Sequence, residues 1–528
     1  MLTFEVHCAR LQDKIHDLQK HADPLLVLYD ANGKELTSND DFYFADPLLS
    51  FKIEKSGDYR LLVRDSKYDG DARWVYALTL TAAPYVSHVY PLAVRPGEDA
   101  ELEPVGSARL VKPVVHAKIP KEAMAGIRLL EFDLGAGRTN PVAVFVTPNA
   151  SALEVEPNDT ADQATRIPLP CCINGRIGQK RDLDHYSFRA EKGKALRFEV
   201  KARRFGTELV SGLDASLDIL DKQGAVLATG DDISPAIKDA AVTFTPPADE
   251  EYILRVRDLL SKGGDHFVYA VEAAYVTQDF TLRVDGDKAM IGPGSSAAWY
   301  VHLNRLNGFR NAVTVEVAGL PAGVVASPLV IPPTMTQGLL VLTAAADAPR
   351  GVANVLVAGK AIAVEPDAKE VALRRVATPN QEIYSPGGGR ARFDVNLHTV
   401  GVTDKSDIER VEVSPRTVTL KPGQEVKLEV KLKRRPDYDG PVTLDVKLRH
   451  LGQVFGDPLP PGVTMEDGKS KTLLGKASEG HIILKAADNA APIHDVPISV
   501  VANVSVNFVV KLAYSSEPIL VTVLPADK

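Results

Sequence analysis

The sequence predicts an all-β fold built as a row of tandem β-sandwiches, and three observations carry that prediction. The first is alternation with period two. In KALRFEVKA, Leu196, Phe198 and Val200 alternate with Arg197, Glu199 and Lys201, and in QEVKLEVKLK, Val426, Leu428, Val430 and Leu432 alternate with polar residues. Strands buried on one face read this way, because successive side chains point to opposite sides of the sheet. The second is turn punctuation: DANG, DKQG, RPGE, KPGQ and SPGGG fall between such runs. The third is internal repetition. LTFEV, DPLLVLYDANGKELTSNDD and GDYRLLVRDSKYDGDARWVYAL return as LRFEV, DASLDILDKQGAVLATGDD and EEYILRVRDLLSKGGDHFVYAV.

Taken in order, the chain divides into five β units. Residues 1–83 form the first repeat, and a small β, immunoglobulin-like domain fills 84–149. Residues 150–277 form the second repeat, which pairs Asp30 with Asp221, Gly33 with Gly224, Arg64 with Arg257 and Tyr76 with Tyr269. Two immunoglobulin-like sandwiches follow at 278–362 and 406–528, with 363–405 read as a linker and leading strand. They echo one another through RLNGFRNAVTVEVAGLPAGV and RRPDYDGPVTLDV with LPPGVT. The second repeat has about forty residues ahead of LRFEV, from EVEPNDT to DLDHYSF, that the first lacks. That predicts a first sandwich short of its leading strands, with a natural start upstream of Met1, an unpaired edge and an exposed apolar face. The one helical candidate is ARLQDKIHDLQK, where Leu11, Ile15 and Leu18 share a face, so helix is expected below about a tenth of residues, against the usual third.

Bulk properties narrow the function. A chain of 528 residues must hold several cores. Its 61 basic residues are spread among 69 acidic ones for a net charge of -8, with no basic stripe, so no nucleic-acid partner is expected. No apolar stretch is long enough for a membrane span. Cys8, Cys171 and Cys172 make no disulfide framework and read as buried free thiols. The N-terminus opens MLTFEVHCARLQDK, without the apolar region of a signal peptide.

The densest chemistry lies in EVEPNDTADQA, which places two glutamates, an asparagine and an aspartate within six residues. Mixed carboxylate and amide oxygens in a short irregular segment suit calcium, which takes six to eight hard oxygen ligands. The same cluster also reads as a turn or helix cap that needs no ion. Asp40, Asp41, Asp231 and Asp232, in NDD and GDD, read as solvated turns.

EVEPNDTADQA, DLDHYSF, LDASLDILDKQGAVLATGDD and EEYILRVRD together resemble the bacterial pre-peptidase C-terminal (PPC) domain, over residues 154–275 and, in shortened form, 1–80. PYVSHVYPL, RLNGF, GLPAGV and LPPGVT are similar to segments of the sandwiches that accompany PPC domains in large secreted proteins of planctomycete-type bacteria. The resemblance implies a jelly-roll-like sandwich, an extracellular, periplasmic or cell-surface location, and a place beside catalytic domains. The collagen-binding domains of clostridial collagenases are similar sandwiches in which an E-x-E-x-N-D segment helps chelate calcium. Glu154, Glu156, Asn158 and Asp159 match that segment, and Asp182 and Asp184 match the acidic pair that completes the site. The resemblance therefore implies one structural Ca2+ site made of these six residues.

Catalytic motifs are not found. There is no G-x-S-x-G and no H-E-x-x-H; PGSSAA at 293–298 is a hairpin turn, and SPGGGR at 385–390 lacks the lysine and helix of a phosphate loop. His185 and His266 read as surface residues at strand edges, and Cys171 and Cys172 as inert. The chain is expected not to be an enzyme: a binding, adhesion or spacer protein with an extracellular protein or polysaccharide partner, or else the accessory portion of a secreted peptidase or other hydrolase.

Overall fold

The computed structural model describes residues 1–8, 11, 22–42, 45–71, 74–106, 114–123, 125–135, 137–202, 211–234, 237–364, 370–384, 390–395, 397–450, 453–505 and 511–526. The helical candidate at 9–20, Leu11 excepted, and the SPGGG turn lie outside them. The described residues are nearly all strand and turn, and their one helical element with printed bounds is the 3-10 turn Ala161–Gln163. Among them no helix is long and apolar enough to cross a membrane. The described residues up to Thr277 form one compact unit and those from Gln278 a second.

The second repeat is a two-layer sandwich. One sheet runs Ala150–Leu153, Cys171–Arg176, Val268–Tyr275, Leu196–Lys201, Ile237–Phe244, Asp232–Ser234, and the other Thr165–Arg166, Leu183–Arg189, Glu251–Asp258, Ala215–Leu220, Val226–Gly230. Alternation does what it should: Leu196, Phe198 and Val200 are buried while Arg197 and Glu199 are not. Their core partners include Tyr186, Phe188, Leu254 and Tyr269. Burying each large apolar side chain contributes roughly 1.5–3 kcal/mol.

Six of those strands recur in the first repeat. One sheet is Leu48–Phe51, Leu2–His7, Ala77–Thr81; the other is Glu35–Asn39, Pro24–Tyr29, Arg60–Asp65. The likeness reaches single bonds. Asp30 Oδ1 accepts from the backbone N–H of Asn32 and Lys34, both at 2.9 Å, and Asp221 Oδ1 from those of Gln223 and Ala225 at 2.9 and 2.8 Å. Gly33 and Gly224 both hold φ +82, which a side chain would strain. A register shift follows Leu28 in one copy and Ile219 in the other.

Residues 84–149 have their own core around Val86, Leu102, Phe132, Leu134 and Val144. They join the second repeat through an apolar seam of Leu92, Ala93, Phe145, Cys172, Val268 and Ala270. Buried Asn174 stitches that seam, accepting from Ala93 N–H at 2.8 Å.

In the second unit, one sandwich packs Phe280, Trp299, Phe309 and Leu340 at its centre, and a later one packs Leu428, Val430, Ile482 and Val521. The stretch 363–405, expected as a linker with a leading strand, instead contributes to the earlier sandwich. Gly351–Val364 and Glu370–Val376 form a hairpin, Thr378–Tyr384 joins Asp279–Asp285, and His398–Val402 pairs with Lys288–Ile291. Leu373, Ala377, Val400 and Val402 belong to its core. The polar surface residues of VALRRV disguised a half-buried edge hairpin as a linker.

Candidate metal centre

Two parallel pairings set up the site. Ala150–Leu153 runs beside Cys171–Arg176, so that Glu154 N–H reaches Asn174 O at 3.0 Å. Thr165–Arg166 runs beside Leu183–Arg189 in the other sheet. The segment 154–164 therefore crosses from one sheet to the other over the end of the sandwich, and the strand Leu183–Arg189 begins beneath it. Between them the EPND turn is pinned by His185, whose backbone N–H and Nδ1 both reach Asn158 O, at 3.1 and 2.9 Å. Burial lowers the pKa of His185, which suits a neutral ring donating through Nδ1. His185 is buried, so the expected surface role is corrected: it fastens the turn.

The structure brings the six sequence-derived residues into one neighbourhood. A carboxylate oxygen from each of Glu154, Glu156 and Asp184 lies within 4.8 Å of the others. Asp182 sits within electrostatic reach of Glu156 and Asp159. Backbone donors aim the acids: Arg176 N–H bonds Glu154 Oε2 at 2.5 Å, Asn158 N–H bonds Glu156 Oε2 at 3.0 Å and Gly178 N–H bonds Asp182 Oδ2 at 2.6 Å. Asp159 Oδ1 accepts from Leu183 N–H at 3.4 Å, linking the two segments directly.

What these donors leave unsatisfied is informative. Asn158, Asp182 and Asp184 are buried, and both amide atoms of Asn158, Oδ1 of Asp182 and Oδ1 of Asp184 have no hydrogen-bond partner. Buried polar groups are nearly always paired, since an orphan costs about 1–3 kcal/mol. A plain capped turn would use the Asn158 side chain on nearby backbone, and Thr160, at the start of the 3-10 turn, makes no side-chain cap bond either.

Electrostatics point the same way. Burial, opposed by the Arg176 N–H and reinforced by Glu156, raises the Glu154 carboxyl to about 8. Burial and the charge of Glu154 raise Asp184 to about 9, and burial also raises Asp182. Without a cation the cluster must hold protons near neutral pH; a divalent cation would replace them.

The donor set can be tested against candidate ions. Calcium–oxygen distances of about 2.3–2.6 Å allow ligand oxygens on opposite sides of the ion to stand roughly 5 Å apart, which accommodates a 4.8 Å spread. Magnesium, at about 2.1 Å with a strict octahedron, would require the carboxylates to close in. The residues fit calcium.

Sequence reasoning missed the floor of this site. Tyr269 donates its hydroxyl to Asp184 Oδ2 and meets the Tyr186 hydroxyl at 2.7 Å. A Cβ on Gly175 would fall 2.3 Å from the Tyr269 hydroxyl and 2.8 Å from Glu154 Oε2, so only glycine leaves room there. The tyrosine of the Y-x-F strand was visible, but nothing local linked it to Tyr269, 83 residues on.

With the geometry in place, comparison with known proteins adds a little. No family model matches the chain. A probable subtilase-type serine protease of Deinococcus radiodurans is 35% identical over 103 residues, 19% of this chain, and the chain spans 14% of that protease's length. Among solved structures, domains 4–9 of the surface layer protein SbsC are 13% identical, covering 62% of this chain and 42% of that one with a TM-score of 0.18. The titin domains z1z2 in complex with telethonin are 16% identical, covering 47% of this chain and 98% of that one with a TM-score of 0.12. Scores this low carry no argument about shape or role.

Proposed function

We propose that this chain is a non-catalytic, extracellular or cell-surface array of β-sandwiches, serving as a spacer or binding module, in which the second repeat is stapled by one structural calcium ion. The observation that supports it best is the set of orphaned buried oxygens among converging carboxylates. Glu154, Glu156 and Asp184 would supply the first ligands, with Asp182, Asp159 and the Asn158 amide oxygen completing the shell. Bound there, the ion would neutralise the acids and tie the 154–164 crossing segment to the strand Leu183–Arg189. The PPC resemblance fits the location and the absence of catalytic motifs.

A calcium ion that binds only the folded state stabilises it by mass action, by about 2.7 kcal/mol at a hundredfold excess over Kd. Calorimetry of the full chain should show one transition moving up with calcium and back with chelator, with magnesium substituting poorly. A Glu156→Gln, Asp159→Asn double variant should lose the shift. Superimposable traces with calcium and chelator would remove the metal and leave a turn.

A second reading is favoured by the 103-residue match to a subtilase-type protease: the chain as the accessory portion of a secreted peptidase or other hydrolase. The reading frame ahead of Met1 separates the two. A catalytic domain encoded there supports the accessory role, and a signal peptide with half a sandwich supports the spacer.

A further inference from the structure

Three of the sandwiches close in the same way. In each, the opening strand is split, and its second half crosses to the other sheet to run parallel to the last described strand. In residues 84–149, Val86–Tyr90 pairs antiparallel with Asp99–Gly106, whereas Ala93–Val94 pairs parallel with Val142–Val146. In the earlier sandwich of the second unit, Asp279–Asp285 pairs antiparallel with Ser296–Leu306, and Lys288–Ile291 pairs parallel with His398–Val402. In the later one, Ile408–Ser414 pairs antiparallel with Glu425–Arg434, and Thr417–Leu420 pairs parallel with Ile519–Val523. The same two bonds bracket each parallel pair. Phe145 N–H donates to Leu92 O and Thr147 N–H to Val94 O, at 2.9 and 3.0 Å. Their counterparts are Thr399 to Asp287 and Thr403 to Ile291, at 2.8 and 3.0 Å, and Leu520 to Arg416 and Leu524 to Leu420, both at 2.9 Å.

This pairing fixes how each sandwich takes a pull along the chain. In a parallel pair, the entry of the first strand and the exit of the last lie at opposite ends. Tension then slides one strand along the other and loads the evenly spaced bonds together. The second repeat is built differently. Ala150–Leu153 and Val268–Tyr275 flank Cys171–Arg176, the one parallel to it and the other antiparallel, so Ala150 and Ala273 both stand level with Cys171. Entry and exit lie at one end there, and tension peels Ala150–Leu153 away bond by bond.

We propose that the three sandwiches bear load: each parallel pair is a shear clamp, and the chain acts as a tether under tension. The proposal rests on the spacer reading and adds a direction of force to it. Ile291, Val400 and Val402 bury one clamp in its core, and Leu420, Val521 and Val523 bury another, where hydrogen bonds are stronger than in water. Clamp length sets the ranking: four residues in Lys288–Ile291 and in Thr417–Leu420, two in Ala93–Val94.

The test is single-molecule force spectroscopy of the full chain held by its two ends, each event assigned by the length of chain it releases. Two events should stand highest, with that of 84–149 below them and that of the second repeat lowest. Thr403→Pro removes the N–H that bonds Ile291 O, and should lower one of the two highest events. Leu340→Ala, in the core of the same sandwich, should lower its melting temperature more than Thr403→Pro does but its rupture force less. That opposition separates a clamp from general stability, and the ranking in the unaltered chain needs no variant. Rupture of all three sandwiches at or below the force of the second repeat would overturn the proposal, as would an unchanged force in Thr403→Pro. Either result leaves the spacer reading standing, because the reading frame ahead of Met1 decides that.

Discussion

Asp30 and Asp221 close the same turn with the same two bonds, yet Tyr76 lies open while Tyr269 is wholly buried. The two repeats share strand order, bulge position and turn chemistry. They differ in their borders, and the border decides almost everything that bears on function. Where Leu183–Arg189 and Cys171–Arg176 complete the sandwich, the tyrosine becomes the floor of a carboxylate cluster; where no described strand stands, the same position is apolar surface. Local structure is thus inherited with the repeat, while burial and electrostatics depend on segments outside it.

The sharpest way to break this comparison is a matched pair of core deletions. Leu254 is fully buried and its equivalent Leu61 only partly so. Leu254→Ala should cost about 2–5 kcal/mol, by lost transfer energy and a cavity, and Leu61→Ala less than half as much. Hydrogen exchange of each repeat within the full chain would read this, and equal losses would refute the border argument. Next in size, His88 tests the joint beside the second repeat. It is buried, its ring lies 5.4 Å from that of His266 and its Nε2 lies 3.2 Å from Asp265 O. Burial above all, with the His266 charge, lowers its pKa from 6.5 to about 4. Because the folded pKa is depressed, this neutral histidine contributes stability above pH 6.5 that is lost as pH falls to about 4, up to about 3 kcal/mol. Melting in that window should flatten in His88→Gln.

Gly175→Ala comes next. Its Cβ would strike Tyr269 and Glu154, at a cost of about 1–3 kcal/mol and with weakened calcium response. The same replacement at Gly57, in the first repeat, meets nothing within 4 Å and should be near neutral. Calcium binding itself should release protons at pH 7, as the raised Glu154 and Asp184 carboxyls ionise, so its affinity should climb with pH towards about 9. Isothermal titration in buffers of different ionisation heat reads the proton count. The smallest effect is a control: Asp30→Ala and Asp221→Ala should each cost about 0.5–1.5 kcal/mol, and alike, because both turns are exposed and built identically.

The sequence by itself determined the strands, the turns and the repeat, because these depend on backbone preferences and side-chain bonds spanning only a few residues. Alternation at Leu196, Phe198 and Val200 named the buried face, and the DANG and DKQG turns announced Gly33 and Gly224 at positive φ. It also named all six residues of the acidic neighbourhood, through likeness to a known sandwich family rather than through spacing. Tertiary structure alone decided that Glu154, Glu156 and Asp184 meet, that the side-chain amide of Asn158 is buried without a hydrogen-bond partner, and that His185 pins the turn instead of facing solvent. It also decided that Glu370–Val376, Thr378–Tyr384 and His398–Val402 belong to a sandwich, for the alternation in VALRRV fits a solvated linker until Gly351–Val364 is found beside it. The reason is physical. A carboxylate's pKa and an oxygen's missing partner are set by the dielectric and the groups around it, and here many of those are supplied by residues as far as 22 positions from Glu154 (Arg176) and 85 from Asp184 (Tyr269).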